Sequence, residues 1–362
     1  MLNASSSHFD PSLPSAGQFC CDAQRCPLVG FALDGQFCMR RRNFIALLGS
    51  AAAWPLSAHA QGPGRVYRLG VMVGQSRDTA MVAAFFDELR LLGFIEGQNL
   101  AIVAGGFGLL DEQRSELAAE IVKLAPDVIW NIGSTIRTRT LRELTRTIPI
   151  VTLGDDMLAE GVVQSLARPS GNITGISILS PELDSKRQDI LIDAVPGVRR
   201  LAALADSKVS TPQQLHVLQE AARGRSIDLA IYSARTREDI IPAMDQAKAA
   251  GAAALNVLAT PLFATGNRGL VMGRATALRL PAMYQWPEMA EEGGFAAYGP
   301  RLTQIYRQEA RLVAKIFRGA KPADLPVEQP ARFELVINLQ AARVIDHEVP
   351  ASVVLRADKV IE

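Results

Sequence analysis

The chain has 362 residues, 38 basic and 37 acidic side chains, a formal net charge of +1, and 48% hydrophobic residues. This balance, without a basic stripe interleaved with aromatics, lacks the electrostatic footprint of a nucleic-acid binder. No run reaches the roughly 20 apolar residues of a membrane-spanning helix, whereas the length suits two ordinary domains able to build cores without disulfides.

Residues 1–38 are rich in Ser, Pro, Gly and Cys, follow neither a helical nor a strand period, and end just before Met39. They read as an over-extended start, with translation beginning at Met39. All four cysteines, Cys20, Cys21, Cys26 and Cys38, lie there, and their spacing fits no standard zinc pattern, so no metal is expected. Arg40-Arg41-Arg42, an uncharged and mostly apolar run from Phe44 to Ala58, and the small-x-small site Ala58-His59-Ala60 follow the layout of an export signal over residues 39–60. Arg41-Arg42-Asn43-Phe44-Ile45 has a twin-arginine look. Cleavage after Ala60 predicts a periplasmic chain beginning at Gln61, with no cysteine at the cleavage site to carry a lipid anchor. Without residues 1–60 the chain carries 34 basic and 34 acidic side chains.

From there the pattern alternates. Val66 to Val73 reads as a strand, and Val82, Phe85, Phe86, Leu89 and Leu92 repeat at helical spacing before Gly93. A strand at Asn99 to Val103 precedes a helix whose apolar face is Leu110, Leu117, Ile121 and Leu124. Strands at Asp127 to Ile132 and Ile148 to Leu153 follow. The Pro/Gly-rich passage Arg168 to Ile176 reads as a hinge. After it, helices over 182–195, 212–224, 237–249 and 266–279 each precede a strand: 201–205, 229–233, 253–258 and 282–285. Continuous apolar strands separated by helices predict parallel sheets covered on both faces. Two such blocks predict an α/β fold of two doubly wound parallel-sheet lobes. The tail, with a short strand at Phe295 to Tyr298, a helix over 301–318 and a strand at Phe333 to Asn338, suits a chain that crosses between lobes more than once.

Ligands of open parallel sheets bind outside the carboxyl ends of the strands. The candidates there are Gly74, Gln75 and Ser76; Gly133, Ser134 and Thr135; and Asp155 and Asp156. Gly133-Ser134-Thr135 is the sharpest: a glycine turn opening a helix offers free N–H groups, the positive dipole end and two hydroxyls to a carboxylate. The competing reading is a capped helix with no ligand. Of Asp155 and Asp156, adjacent residues that point apart, one reads as a cap and one as the partner of a ligand amine. Tyr284 and Trp286, around Gln285 at a strand end, are candidate aromatic flanks, although strand-end aromatics often belong to a core. Gly105-Gly106-Phe107-Gly108 lacks the context of a dinucleotide fingerprint and reads as a loop. Neither G-x-S-x-G nor a P-loop occurs. Beyond residue 60 the histidines are His216 and His347, so nucleophile–base constellations are thin and the chain reads as a binder without catalytic residues or cofactor.

The leader, Gly93-Phe94-Ile95-Glu96-Gly97-Gln98-Asn99, Pro169-Ser170-Gly171-Asn172-Ile173-Thr174-Gly175, Gly293 to Pro300 and Lys321 to Asn338 together resemble the ABC-transporter substrate-binding proteins, including the tryptophan- and tyrosine-type binders. The resemblance spans residues 40–362. It implies a type I periplasmic-binding fold, two lobes joined by a three-segment hinge with a small-molecule ligand in the cleft. The expected lobes are 66–173 with 288–320, and 174–287 with 321–362. Implied contacts are the Gly74–Ser76 loop, Ser134-Thr135, Asp155-Asp156 and the strand end from Tyr284 to Trp286. The implied setting is a periplasmic monomer serving an inner-membrane ABC permease. Two positions depart from the family's pattern: Asp206-Ser207 where relatives often carry Asn-Pro, and Met157 where a proline often follows the aspartates. A receptor signalling to a membrane sensor shares this fold. An exported α/β enzyme is disfavoured by the scarcity of His and Cys.

Overall fold

A computed structural model describes residues 65–108, 114–133, 135–178, 180–264 and 266–362. The leader, the four cysteines, Leu110 and Ser134 lie outside the described residues.

The first sheet has the order β2-β1-β3-β4-β5, built from β1 (Tyr67–Val73), β2 (Leu100–Phe107), β3 (Val128–Ile132), β4 (Ile150–Gly154) and β5 (Ile173–Ser177). Its pairings are all parallel. The strands are continuous apolar runs because both faces are covered, as a parallel sheet requires. Leu69, Val71, Val73 and Trp130 pack on the face of α1 (Ala80–Leu91), whereas Met72 and Ile129 pack with Ile121 of α2 (Arg114–Lys123) and Leu141 of α3 (Thr135–Leu144).

The second sheet runs β12-β11-β10-β9-β8-β6-β7. Its strands are β6 (Arg200–Asp206), β7 (Asp228–Ala234), β8 (Ala254–Val257), β9 (Ala282–Tyr284), β10 (Ala296–Gly299), β11 (Glu334–Asn338) and β12 (Lys359–Ile361). Only the β10–β11 pairing among these is antiparallel. Helices α4 (Ser180–Ala194), α5 (Pro212–Gly224), α6 (Arg237–Ala249), α7 (Pro261–Ala264), α8 (Arg268–Ala277) and α9 (Pro287–Glu291) alternate with the strands. At the start of α5, Thr211 Oγ1 accepts from Gln214 N at 3.2 Å and Pro212 takes the first helical position, where its missing N–H is harmless.

The chain passes between the sheets after Ser177, after Gly299 and after Glu328. This shifts the lobe boundaries read from the sequence. Within the passage Arg168 to Ile176, residues 168–172 form a turn in the first lobe, with Ser170 and Gly171 at positive φ, and Ile173 onward is edge strand β5. Beyond β5, Glu328 N donates to Gly175 O and Ser177 N to Glu328 O, both at 2.9 Å, so the segment through Glu328 stays with the first lobe. Strand β10, expected in the first lobe, pairs within the second sheet, and only the following helix, α10 (Leu302–Phe317), returns to the first. Gly105, Gly106 and Phe107, read as loop, continue β2 opposite Val71, Met72 and Val73 after a register shift that lengthens the pairing.

Helix α10 closes the first lobe. Tyr306 and Glu309, both fully buried, stand over Trp130. The Trp130 indole stacks on Phe85 with centroids 3.5 Å apart and planes at 6°, meets Tyr306 edge-on at 5.4 Å, and donates to Glu309 Oε2 at 3.0 Å. The second carboxylate oxygen of Glu309 has no protein partner. Burial therefore pushes the Glu309 carboxyl well above its ordinary value, opposed only by the indole hydrogen bond. The folded protein keeps a proton that the unfolded chain releases near pH 4.3, so stability falls as pH rises from about 4.3 through the higher folded value. Glu309→Gln keeps an acceptor for Trp130 and removes the titration. Thermal melts between pH 5 and pH 8 are expected to show the variant gaining on the wild type as pH rises; parallel curves would refute a neutral Glu309.

Candidate ligand-binding cleft

The carboxyl ends of both sheets face a cleft with about 520 Å³ of atom-free space, part of it open to solvent. From the first lobe it receives Gln75 after β1, Gly133 after β3, Asp155 after β4 and Tyr306 of α10; from the second come Thr260 after β8 and Trp286 after β9. Leu153, Ile178, Pro261 and Leu302 make the rest of the wall largely apolar. A concave, mostly apolar site with a few converging polar groups is the usual form of a small-molecule pocket.

Of the residues expected from the sequence, Gln75, Gly133, Asp155 and Trp286 meet here. Thr135, which begins α3, and Asp156 line a second, adjoining chamber. Thr135 Oγ1 donates to Glu160, so the helix start meets a carboxylate of the protein itself. Asp156 Oδ1 accepts from Ala159 N at 3.0 Å, the capping role, which leaves Asp155 as the member of the pair that reaches both chambers. Ser76 is exposed, and its carbonyl accepts from Thr79 Oγ1 at 2.8 Å at the start of α1. Gly74 is half-buried and is not on the cleft wall. Tyr284 is a core residue packed against Gly294, where an added Cβ would come within 2.7 Å of its ring. Burial alone raises its phenol far above the ordinary value. The two histidines lie elsewhere: His216 is exposed beside Glu220, and His347 Nε2 meets Ala194 O at 2.9 Å.

Three residues at or beneath this cleft, Arg137, Thr260 and Tyr306, are absent from the sequence candidates. Arg137 is buried beneath Gly133, and its Nη1 donates to Ile132 O at 2.7 Å. A Cβ on Gly133 would fall 1.8 Å from Arg137 Nη2, so only glycine lets the guanidinium lie against this strand end. Burial pushes Arg137 down to about 10, with Tyr306 acting against the shift, so it is cationic at neutral pH. Arg137 shares a helix face with Leu141, four residues on, and that spacing is the sequence signal for its burial. The Tyr306 hydroxyl, Thr260 Oγ1 and Gln75 Oε1 are buried without protein partners. Burial is also the main reason that the Tyr306 phenol lies well above its ordinary value, Glu309 adding to it.

The second-lobe wall is braced from behind. Asp184, fully buried on α4, contacts Arg187, accepts from Gln214 Nε2 at 2.7 Å and accepts from Ala259 N at 3.1 Å, fixing the backbone beside Thr260. Arg187 Nε in turn donates to Tyr298 O at 2.8 Å where β10 leaves the sheet. Burial pushes the Asp184 carboxyl up and the Arg187 guanidinium down, and each is opposed by the other's charge. Removing one member strands a buried charge, at about 3–5 kcal/mol. Asp184→Ala is expected to lower the unfolding free energy by about that amount in urea denaturation; a loss below about 1 kcal/mol would show that the pair does not brace the wall.

Two α/β lobes around a cleft at their strand ends define the periplasmic-binding-protein fold, a class built to hold small ligands. The chain belongs to the family of ABC transporter substrate binding proteins, whose model matches residues 77–361. It is 22% identical over 267 residues to a tyrosine-binding protein of Clostridioides difficile, covering 72% of this chain and 75% of that one. Among solved structures, a conserved domain protein from Vibrio cholerae superposes with a TM-score of 0.73 at 25% identity, over 82% of this chain and 100% of the other. An ABC domain from Streptococcus pneumoniae in complex with L-Trp superposes with a TM-score of 0.72 at 20% identity, with the same coverage.

Proposed function

We propose that this chain is the periplasmic receptor of an ABC importer and captures an amino acid or aromatic acid in the cleft between its lobes. The observation that carries the reading is a buried cation placed under a largely apolar cleft whose wall also carries a carboxylate. A ligand carboxylate is seated over Gly133, above the Arg137 guanidinium that lies against the strand end. An α-ammonium lies toward Asp155, and an apolar or aromatic side chain lies between Trp286 and Tyr306. The unpartnered atoms of Gln75, Thr260 and Tyr306 supply further hydrogen bonds. The tyrosine-binding and L-Trp-bound relatives support an aromatic amino acid as ligand.

A thermal-shift screen of refolded, ligand-stripped protein against amino acids and aromatic acids tests this. A true ligand at 100 times its Kd stabilises by about 2.7 kcal/mol, several degrees for a protein of this size. L-Trp or L-Tyr is expected among the hits, and a flat response to every amino acid and aromatic acid would overturn the reading.

Export is the second part of the proposal, with processing after Ala60 and delivery to an inner-membrane permease. It is supported by the arginines and the Ala58-His59-Ala60 site, and by the family. N-terminal sequencing of the protein from a periplasmic extract is expected to begin at Gln61; a start more than a few residues away counts against it.

A further inference from the structure

We propose that the site takes a dipeptide, or another N-aminoacylated amino acid with an aromatic C-terminal residue, in preference to a free amino acid. The inference rests on the receptor reading and deepens it by naming the ligand class.

Beside the cleft lies an outer chamber with about 990 Å³ of atom-free space, part of it open to solvent. The residues that line both spaces are Asp155 and Thr260, which form the threshold between them. Thr260 is 3% exposed, and its Oγ1 has no protein partner. Ser210 Oγ, on the second-lobe wall of the outer chamber, is likewise buried without a protein partner. Two hydroxyls without protein partners, one at the threshold and one beyond it, suit a ligand whose polar backbone passes through and toward which they turn.

The wall that holds Ser210 is built rather than loose. Asp206 Oδ1 accepts from Lys208 N at 2.9 Å, Asp206 O accepts from Ser210 N at 2.8 Å, and Thr211 caps the next helix. Facing it, Asp156 and Glu160 line the first-lobe side. With Asp155, whose charge also acts on the buried Arg187, they bring three carboxylates to the same chamber as Arg139 and Lys208, and Arg139 is already donating to the Glu160 carbonyl. Carboxylate oxygens accept hydrogen bonds, so the chamber suits an end group that donates them, as an ammonium does.

The direction of extension follows from the seat of the first residue. With its carboxylate set against Gly133 and the buried Arg137, the ligand lengthens from its other end. Its nitrogen, at Asp155, stands on the threshold. Acylating that nitrogen with a second amino acid carries a peptide N–H and C=O past Thr260 toward Ser210. The new ammonium then reaches the side of Asp156 and Glu160.

Calorimetric titration of the ligand-stripped protein with L-tryptophan, L-tyrosine, alanyl-tryptophan, alanyl-tyrosine and tryptophyl-alanine tests this. The N-extended dipeptides are expected to bind at least about tenfold more tightly than the free amino acids, and tryptophyl-alanine more weakly than either. Ala159→Leu and Val209→Phe narrow the outer chamber from opposite lobes. Each is expected to weaken the alanyl dipeptides at least about fivefold while leaving the free amino acids within about twofold. Free amino acids that bind as tightly as the dipeptides, or variants that weaken both equally, overturn the proposal and leave the receptor reading standing. Binding of none of the five probes overturns both.

Discussion

The structure depends on the return of α10 from the second sheet to the first. Strand β10 ends at Gly299, where a Cβ would fall 2.0 Å from the Gln285 carbonyl, so the chain can leave the sheet this close to β9 only without a side chain. Arg187 holds the neighbouring Tyr298 carbonyl, and Arg301 donates to Glu334 at 2.6 Å and to Glu291 at 2.9 Å, fixing the first residues of the return. The helix then buries Leu302, Ile305, Tyr306, Glu309 and Val313 along one side. One helix thus ties the floor of the cleft, at Tyr306, to the strand end that carries Gln285 and Trp286. The cleft is defined between lobes because the same chain segment belongs to the architecture of both.

This arrangement leaves the cleft polar where a protein interior would not tolerate it. A buried donor or acceptor without a partner costs about 1–3 kcal/mol, and Gln75 Oε1, Thr260 Oγ1 and the Tyr306 hydroxyl, on residues that line one concave surface, are all buried without protein partners. Stability alone would select against such a cluster. A ligand toward which these side chains turn, and which meets the apolar wall, recovers that free energy on binding.

Much of this was legible in the sequence. Continuous apolar runs such as Val128 to Ile132 mark strands covered on both faces, and the carboxyl-end rule places Gln75, Gly133, Asp155 and Trp286 at the cleft. What misled was local chemistry that two structures share. Pro169-Ser170-Gly171 would serve a linker or a tight turn equally well, and pairing with β4, a long-range fact, decides for the turn. Gly105 and Gly106 look like loop residues until β1 pairs with them. Tyr284 and Trp286 are alike in composition, but Tyr284 packs against Gly294 within its lobe while Trp286 reaches the cleft. Arg137 was hidden because charge in a polar helix suggests solvent, and only its spacing from Leu141 places it against the sheet.

The charges around the cleft floor have a consistent logic. Arg137 and Glu309 both lie near Tyr306, one turn of helix or less from the floor, and both are buried. Were Glu309 ionised, its negative charge in a low-dielectric interior would offset Arg137 and repel an anion seated over Gly133. Burial against Trp130, with the indole as the donor to Glu309, holds the carboxyl neutral instead. The guanidinium resists the same pressure because its ordinary value is so high that a fall to about 10 still leaves it charged. Desolvation acts on both groups, yet it silences the acid and spares the base. In the proposed pose, a ligand carboxylate over Gly133 therefore meets the Arg137 guanidinium without competition from Glu309.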